Sequence, residues 1–178
     1  MKTTIPFCVV ILIGAASLLW AQQQPPSPAA QTSVTVGGKV LTIKYSAPSV
    51  RNRQIFGEGG LVSKEKNYPV WRAGANAATS FHTDADLVIK GLAVPKGDYT
   101  IYLLVNTDPW QLIINKQTGQ WGLTYNKDQD FGRVPMDMSK PSALIETYKM
   151  TLSSTGADAG KLQLEWDRYI ASVPFTVK

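Results

Sequence analysis

Thiols are almost absent from this chain: the single cysteine, Cys8, lies within an apolar run from Ile5 to Trp20, and none follows it. Beyond residue 21 there is therefore no disulfide, no zinc–thiolate centre and no cysteine nucleophile. Thr4-Ile5-Pro6-Phe7 before Cys8 is also not the box of a lipid-attachment cysteine. Histidine is equally scarce, with His82 alone, so a multi-histidine metal centre is excluded. No G-x-S-x-G elbow occurs and no serine stands in a strand-turn-helix context, which removes the usual setting of a serine hydrolase. Charge is sparse at 17% of residues, and the longest basic run is Arg51-Asn52-Arg53. A scattered excess of this kind argues against nucleic-acid binding and supports at most a mild attraction to anionic glycans or headgroups. Helical periodicity is missing too, and Pro135 and Pro141 interrupt the one ambiguous region.

What is present begins with Lys2 and the apolar run to Trp20, closed by Ala21, the pattern of a cleavable secretory signal peptide over residues 1–21. Export to the periplasm or the outside is the expectation, with no membrane attachment after cleavage. Removing Lys2 with the leader takes the formal charge from +5 to +4. Residues 22–31, QQQPPSPAAQ, are polar, proline-rich and without period, and are expected to form a disordered tether. Residues 32–178 then suffice for one domain that needs no cofactor or metal to be stable.

That domain reads as alternating strands. TSVTV and KVLTIKYS flank Gly37-Gly38, a pair suited to a tight hairpin because both glycines tolerate positive φ. Leu41, Ile43 and Tyr45 share one face and Val40, Thr42 and Lys44 the other. Strand patterns recur at DLVIKG, GDYTIYLLVN, WQLIINK, WGLTY, ALIETYKMTLSS, KLQLEWDRY and SVPFTVK, with Asn115 to Gln120 as a second hairpin-like connection. Turn signals about every ten residues predict an all-β, single-domain antiparallel β-sandwich, jelly-roll-like, of roughly eight to ten strands with little or no helix. The longest irregular segment, residues 46–74, is of a length that marks a functional or well-packed loop.

Four segments, YSAPSVRNRQIFG (45–57), VWRAGANAAT (70–79), VPKGDYTIYLL (94–104) and WQLIINKQTGQWG (110–122), resemble a secreted bacterial family catalogued as domain of unknown function 2911. The resemblance spans nearly the whole chain after the leader and implies a β-rich exported domain, but no activity. It also implies Trp-Arg-x-Gly-Ala-Asn-Glu-Ala-Thr at the second segment, where this chain has Ala77 in place of the glutamate. The acid–base group that such a motif would offer is missing here.

Arg51, Arg53, Arg72 and Asn76 form the strongest candidate cluster. Arginine forks and an amide suit a carboxylate, phosphate or polyhydroxy ligand, and they equally suit loop carbonyls that would otherwise be buried unpaired. Trp71 is expected to face the core, since only one of Val70 and Trp71 points inward in a strand, and Gly74, Ala75, Ala77 and Ala78 mark a close backbone approach. His82, Asp84 and Asp86 alternate and would share one face if extended, but the outer pair is then too far apart for one ion, so no metal is expected there. Trp110 and Trp121, with Tyr102 and Tyr125, offer aromatic rings either to a core or to a sugar. The expected role is a non-catalytic binding module for carbohydrate or a small anionic ligand, with no catalytic residue. The alternatives are a hydrolase of envelope or extracellular polymers and a structural or protein-interaction domain.

Overall fold

The computed structural model describes residues 27–178; the expected leader and residues 22–26 of the expected tether lie outside them. The alternation read from the sequence is realised as two antiparallel sheets packed face to face. The first contains β1 (Ala29–Val36), β2 (Lys39–Ser46), β3 (Val70–Trp71), β4 (Thr79–Thr83), β7 (Gly97–Leu104), β8 (Gln111–Asn115) and β9 (Asp130–Pro135), and its main order is β1-β2-β4-β7-β8-β9 with β3 beside β7. The second contains β5 (Leu87–Ile89), β6 (Leu92–Val94), β10 (Asp137–Ser139), β11 (Ile145–Ser154), β12 (Ala159–Asp167) and β13 (Tyr169–Val177), ordered β11-β12-β13-β5-β6 with β10 beside β13. Only two short 3-10 turns, Val62–Lys64 and Lys127–Gln129, break the all-β pattern among the described residues.

β1 and β2 pair in full register around Gly37 and Gly38, whose φ of 56° and 73° is the left-handed geometry a two-residue hairpin demands. Leu41 and Ile43 are completely buried while Val40 and Lys44 are exposed. Their face meets Phe81, Ile101, Leu103, Leu112 and Ile114 from neighbouring strands, and the second sheet answers with Leu87, Ile89, Leu152, Leu162, Val173 and Phe175. Where β11 runs along the edge of its sheet, the Met150 amide donates to the Tyr45 hydroxyl and the Leu152 amide to Thr32 Oγ1, both at 3.0 Å. Side chains of the first sheet thus satisfy ladder groups of the second, so this edge is not left open.

Several expectations are revised. The first strand begins at Ala29, so Ala29, Ala30 and Gln31, expected in the tether, are paired with Ser46, Tyr45 and Lys44. Among the described residues the strands number thirteen, because tertiary pairing makes ladders of two- and three-residue segments that carry no period of their own. WGLTY is not a strand: Trp121 makes one bridge to Ala77 and the chain then turns, because residues 116–129 cross the outer face of the first sheet before β9 returns to pair with β8. That crossing also explains why Val70 and Trp71 are both buried. Trp71 enters the main core, while Val70 packs on the opposite face with Tyr102 and Ile113 beneath Tyr125.

Candidate functional site

Trp71 leads the VWRAGANAATS segment into the end of the sandwich, where its indole stacks on Trp166 at 5.5 Å and meets Phe56 and Tyr148 edge-on. The chain leaves β3 through a corner in which Ala73 and Asn76 have φ of 52° and 60°. Gly74 lies so close to β2 that a Cβ there would be 2.9 Å from the Ser46 carbonyl oxygen, which accounts for the small residues. The Ala75 amide donates to that carbonyl, and the buried Thr79 hydroxyl donates to the Ala73 carbonyl at 2.8 Å. These bonds satisfy backbone groups that the corner removes from any ladder.

The sequence-predicted polar residues divide between two places. Arg72 and Asn76 come together against Gly122, where an added Cβ would lie 2.6 Å from the Asn76 carbonyl oxygen and in contact with the Arg72 side chain. Arg72 Nη2 donates to Glu65 Oε1 at 2.9 Å, both side chains being 14% exposed. Burial raises the Glu65 pKa, and the facing guanidinium opposes that rise. Asn76 Nδ2 donates to Ser46 Oγ at 3.3 Å. Arg51 and Arg53 belong to the turn after β2: the Arg51 amide donates to Glu146 Oε1, and the Arg53 guanidinium donates to the Val50 and Ser49 carbonyls. In each case the polar groups serve the long 46–74 loop, whose Val50, Ile55, Phe56 and Val62 are buried in the core.

His82 and Asp84 lie at the end of β4 and just beyond it, with Asp98 opposite on β7. Nδ1 of His82 is 2.8 Å from Asp98 Oδ1 and Nε2 is 3.0 Å from Asp84 Oδ1. Hydrogen bonds to Asp84 and then Asp98 raise the His82 pKa above its ordinary 6.5, and the same histidine lowers that of Asp84. With a carboxylate at each ring nitrogen, the imidazolium donates both protons and keeps no lone pair for general-base work. Asp86 is elsewhere occupied, accepting the Lys96 amide at 2.8 Å. Among the described residues no group of three or more histidines and carboxylates is placed to hold a metal ion.

The two predicted tryptophans separate completely. Trp121 is 55% exposed beside the Arg72–Asn76 corner. Trp110 is buried in an aromatic wall, 4.7 Å from Phe56 and stacked at 4.9 Å on Tyr169. That wall is the floor of an open cleft of about 500 Å³ at one end of the sandwich. Its rim carries Tyr68, Ser63, Asn106, Thr107, Asp108 and Lys140. Sequence reading found Trp110 but missed Tyr68, Tyr169 and Lys140; for Tyr68 and Lys140 the available signal was that NTDPW, KP after β10 and the long loop are strand connections, and connections gather at the ends of a sandwich.

A family model described as "Protein of unknown function (DUF2911)" matches residues 27–175. No curated protein and no solved structure matches the chain.

Proposed function

Because the chain belongs to this family of proteins of unknown function, we propose its role from its own surfaces: an exported, non-catalytic module that binds a small carbohydrate or small anionic ligand in the end cleft. The observation that carries this is the cleft itself. Its volume of about 500 Å³ falls within the roughly 300–1,000 Å³ of small-molecule sites, and an aromatic floor with a few convergent polar groups is their usual chemistry. Lys140 offers the rim a cation, and Ser63, Asn106 and Thr107 offer hydroxyl and amide partners. Export rests on the leader pattern of residues 1–21. Among the described residues no helix is long and apolar enough to cross a membrane.

A binding role is favoured over hydrolysis by the residues at hand. Asp108 is the one carboxylate lining the cleft among the described residues, whereas glycoside hydrolysis commonly needs two across the scissile bond. The His82 imidazole lies outside the cleft and is held between carboxylates. The test is NMR and calorimetric titration of the protein with methyl glucoside and with glucuronate. Tyr68→Ala should weaken binding of both, and Lys140→Ala should weaken glucuronate alone. Saturating sugar that moves no resonance of Trp110 or Tyr169 would end the proposal, and product release from an oligosaccharide would return the chain to the hydrolases.

A further inference from the structure

The outer face of the first sheet carries a second concavity, distinct in residues and chemistry from the end cleft. Register places Gln31, Lys44 and Ser80 in one row across β1, β2 and β4, and Ser33, Thr42, His82 and Asp98 in the next row, which reaches β7. A polar outward face is ordinary for an antiparallel sheet. This one, however, has a wall. The buried Thr100 hydroxyl donates to the Gln117 carbonyl at 2.7 Å, and Gln120 Nε2 donates to the Tyr102 hydroxyl at 3.0 Å. The 116–120 segment is thereby tied down along β7, and a groove of about 560 Å³ opens beside it, lined by Gln31, Thr42, Lys44, Ser80, His82, Asp98 and Thr118.

Lys44 and Ser80 also line a smaller recess of about 190 Å³, whose other walls are Tyr45, Ser46, Ala77 and Ala78. Beside Ala77 stands Trp121, bridged to it and 55% exposed. From His82 to Ala77 the chain covers about 17 Å at strand rise. Along that length, polar side chains lead from a carboxylate-clamped imidazole at one end to an exposed indole at the other. The short side chains of Ala77 and Ala78 belong to the recess at the Trp121 end.

We propose that this face binds an extended neutral glycan chain, laid along the groove from His82 to Trp121. Hydroxyl and amide groups spaced along a strand match sugar hydroxyls. The exposed indole offers an apolar surface for a sugar ring. Both signs of charge are present, Lys44, His82 and Asp98 in the lining and Asp84 against the imidazole, so no single-sign field is built to select a charged polymer. The imidazole end is held between two carboxylates before any ligand arrives, which limits the entropy lost there on binding.

The experiment is titration of the full chain, by tryptophan fluorescence and calorimetry, with neutral cello-, xylo- and manno-oligosaccharides from monomer to hexamer. Affinity in one series should rise with chain length and level off once the groove is filled. Trp121→Ala should weaken the longest oligomer on the order of tenfold, and Thr42→Ala, a second exposed-face change that leaves the core untouched, should weaken it further in combination. Tyr68→Ala, which alters only the end cleft, should leave that affinity unchanged. The proposal falls if no series shows length dependence, if Trp121→Ala binds as well as the parent, or if only an anionic oligogalacturonate binds. Loss through Tyr68→Ala alone would move the glycan to the cleft and overturn the groove without touching the cleft reading.

Discussion

Replacing Arg72 with methionine separates the two roles its position allows, because the Arg72–Glu65 pair is close to buried and its loss has a calculable signature. Methionine keeps much of the stem that lies against Gly122 but removes the charge. Glu65 then either stays ionised without its partner, at a penalty of about 3–5 kcal/mol typical of broken buried pairs, or takes up a proton. Protonation costs about 1.4 kcal/mol for each pH unit between its pKa and the solution. From the unfolded carboxyl's ordinary value of 4.5, holding the proton in the folded state at pH 7 costs at most roughly 3.4 kcal/mol, the full amount being reached only where burial lifts the folded pKa past the solution pH. The expected destabilisation at pH 7 is therefore about 2–3 kcal/mol.

Its pH dependence carries the sign of the mechanism. In the variant the folded state holds the Glu65 proton while the unfolded state above pH 4.5 does not, so stability falls as pH rises and recovers as pH is lowered. Near pH 5 the difference from the parent should shrink below about 1 kcal/mol. Urea unfolding followed by tryptophan fluorescence at the two pH values measures both quantities, and Glu65→Gln added to Arg72→Met should recover most of the loss at pH 7. A penalty that is absent at pH 7, or equal at both values, would refute the idea that Arg72 holds the loop through this carboxylate. Unchanged stability with altered ligand response would assign Arg72 to a ligand instead.

Other perturbations test separate parts of the structure. Gly160→Ala drives a methyl into the buried Phe175 ring, and should destabilise by about 1–3 kcal/mol in thermal or urea unfolding. Gly122→Ala sets a Cβ 2.6 Å from the Asn76 carbonyl oxygen; that backbone atom cannot swing aside, so the loop bearing Trp121 should shift and amide resonances of residues 72–77 should move with it. As the chain's only histidine, His82 gives an unambiguous NMR titration. Its pKa should lie above 6.5 and fall in both Asp84→Asn and Asp98→Asn. The stabilisation it supplies is complete below 6.5 and is lost as pH rises through the folded value, so the Asp98→Asn difference in melting temperature should narrow at alkaline pH.

Strand period is a local property, and the places where it was readable are those where one residue's two neighbours see different surroundings. Leu41 and Ile43 alternate with Val40 and Thr42 because one side of β2 is core and the other is open. Trp121 misled for the converse reason: WGLTY alternates, but its partner is a single residue of a corner, Ala77, and no ladder forms around it. Val70 looked outward-facing and is buried, because a segment more than forty positions later in the chain, at Tyr125, covers the outer face there.

By itself the sequence determined the all-β class, the Gly37-Gly38 hairpin, the burial of Trp71 and the family, since each depends on neighbours in the chain or on a pattern of residue types. Tertiary structure alone decided what those elements enclose. Phe56, Trp110, Lys140 and Tyr169 meet around one cleft only because three strand connections and the start of β13 come to the same side of the sandwich. His82 acquires Asp98 only because β4 and β7 are neighbours in the sheet although β5 and β6 lie between them in sequence. Periodicity reports which face of a strand is dry, whereas the convergence of side chains depends on strand order, and strand order is set by the packing of the whole core.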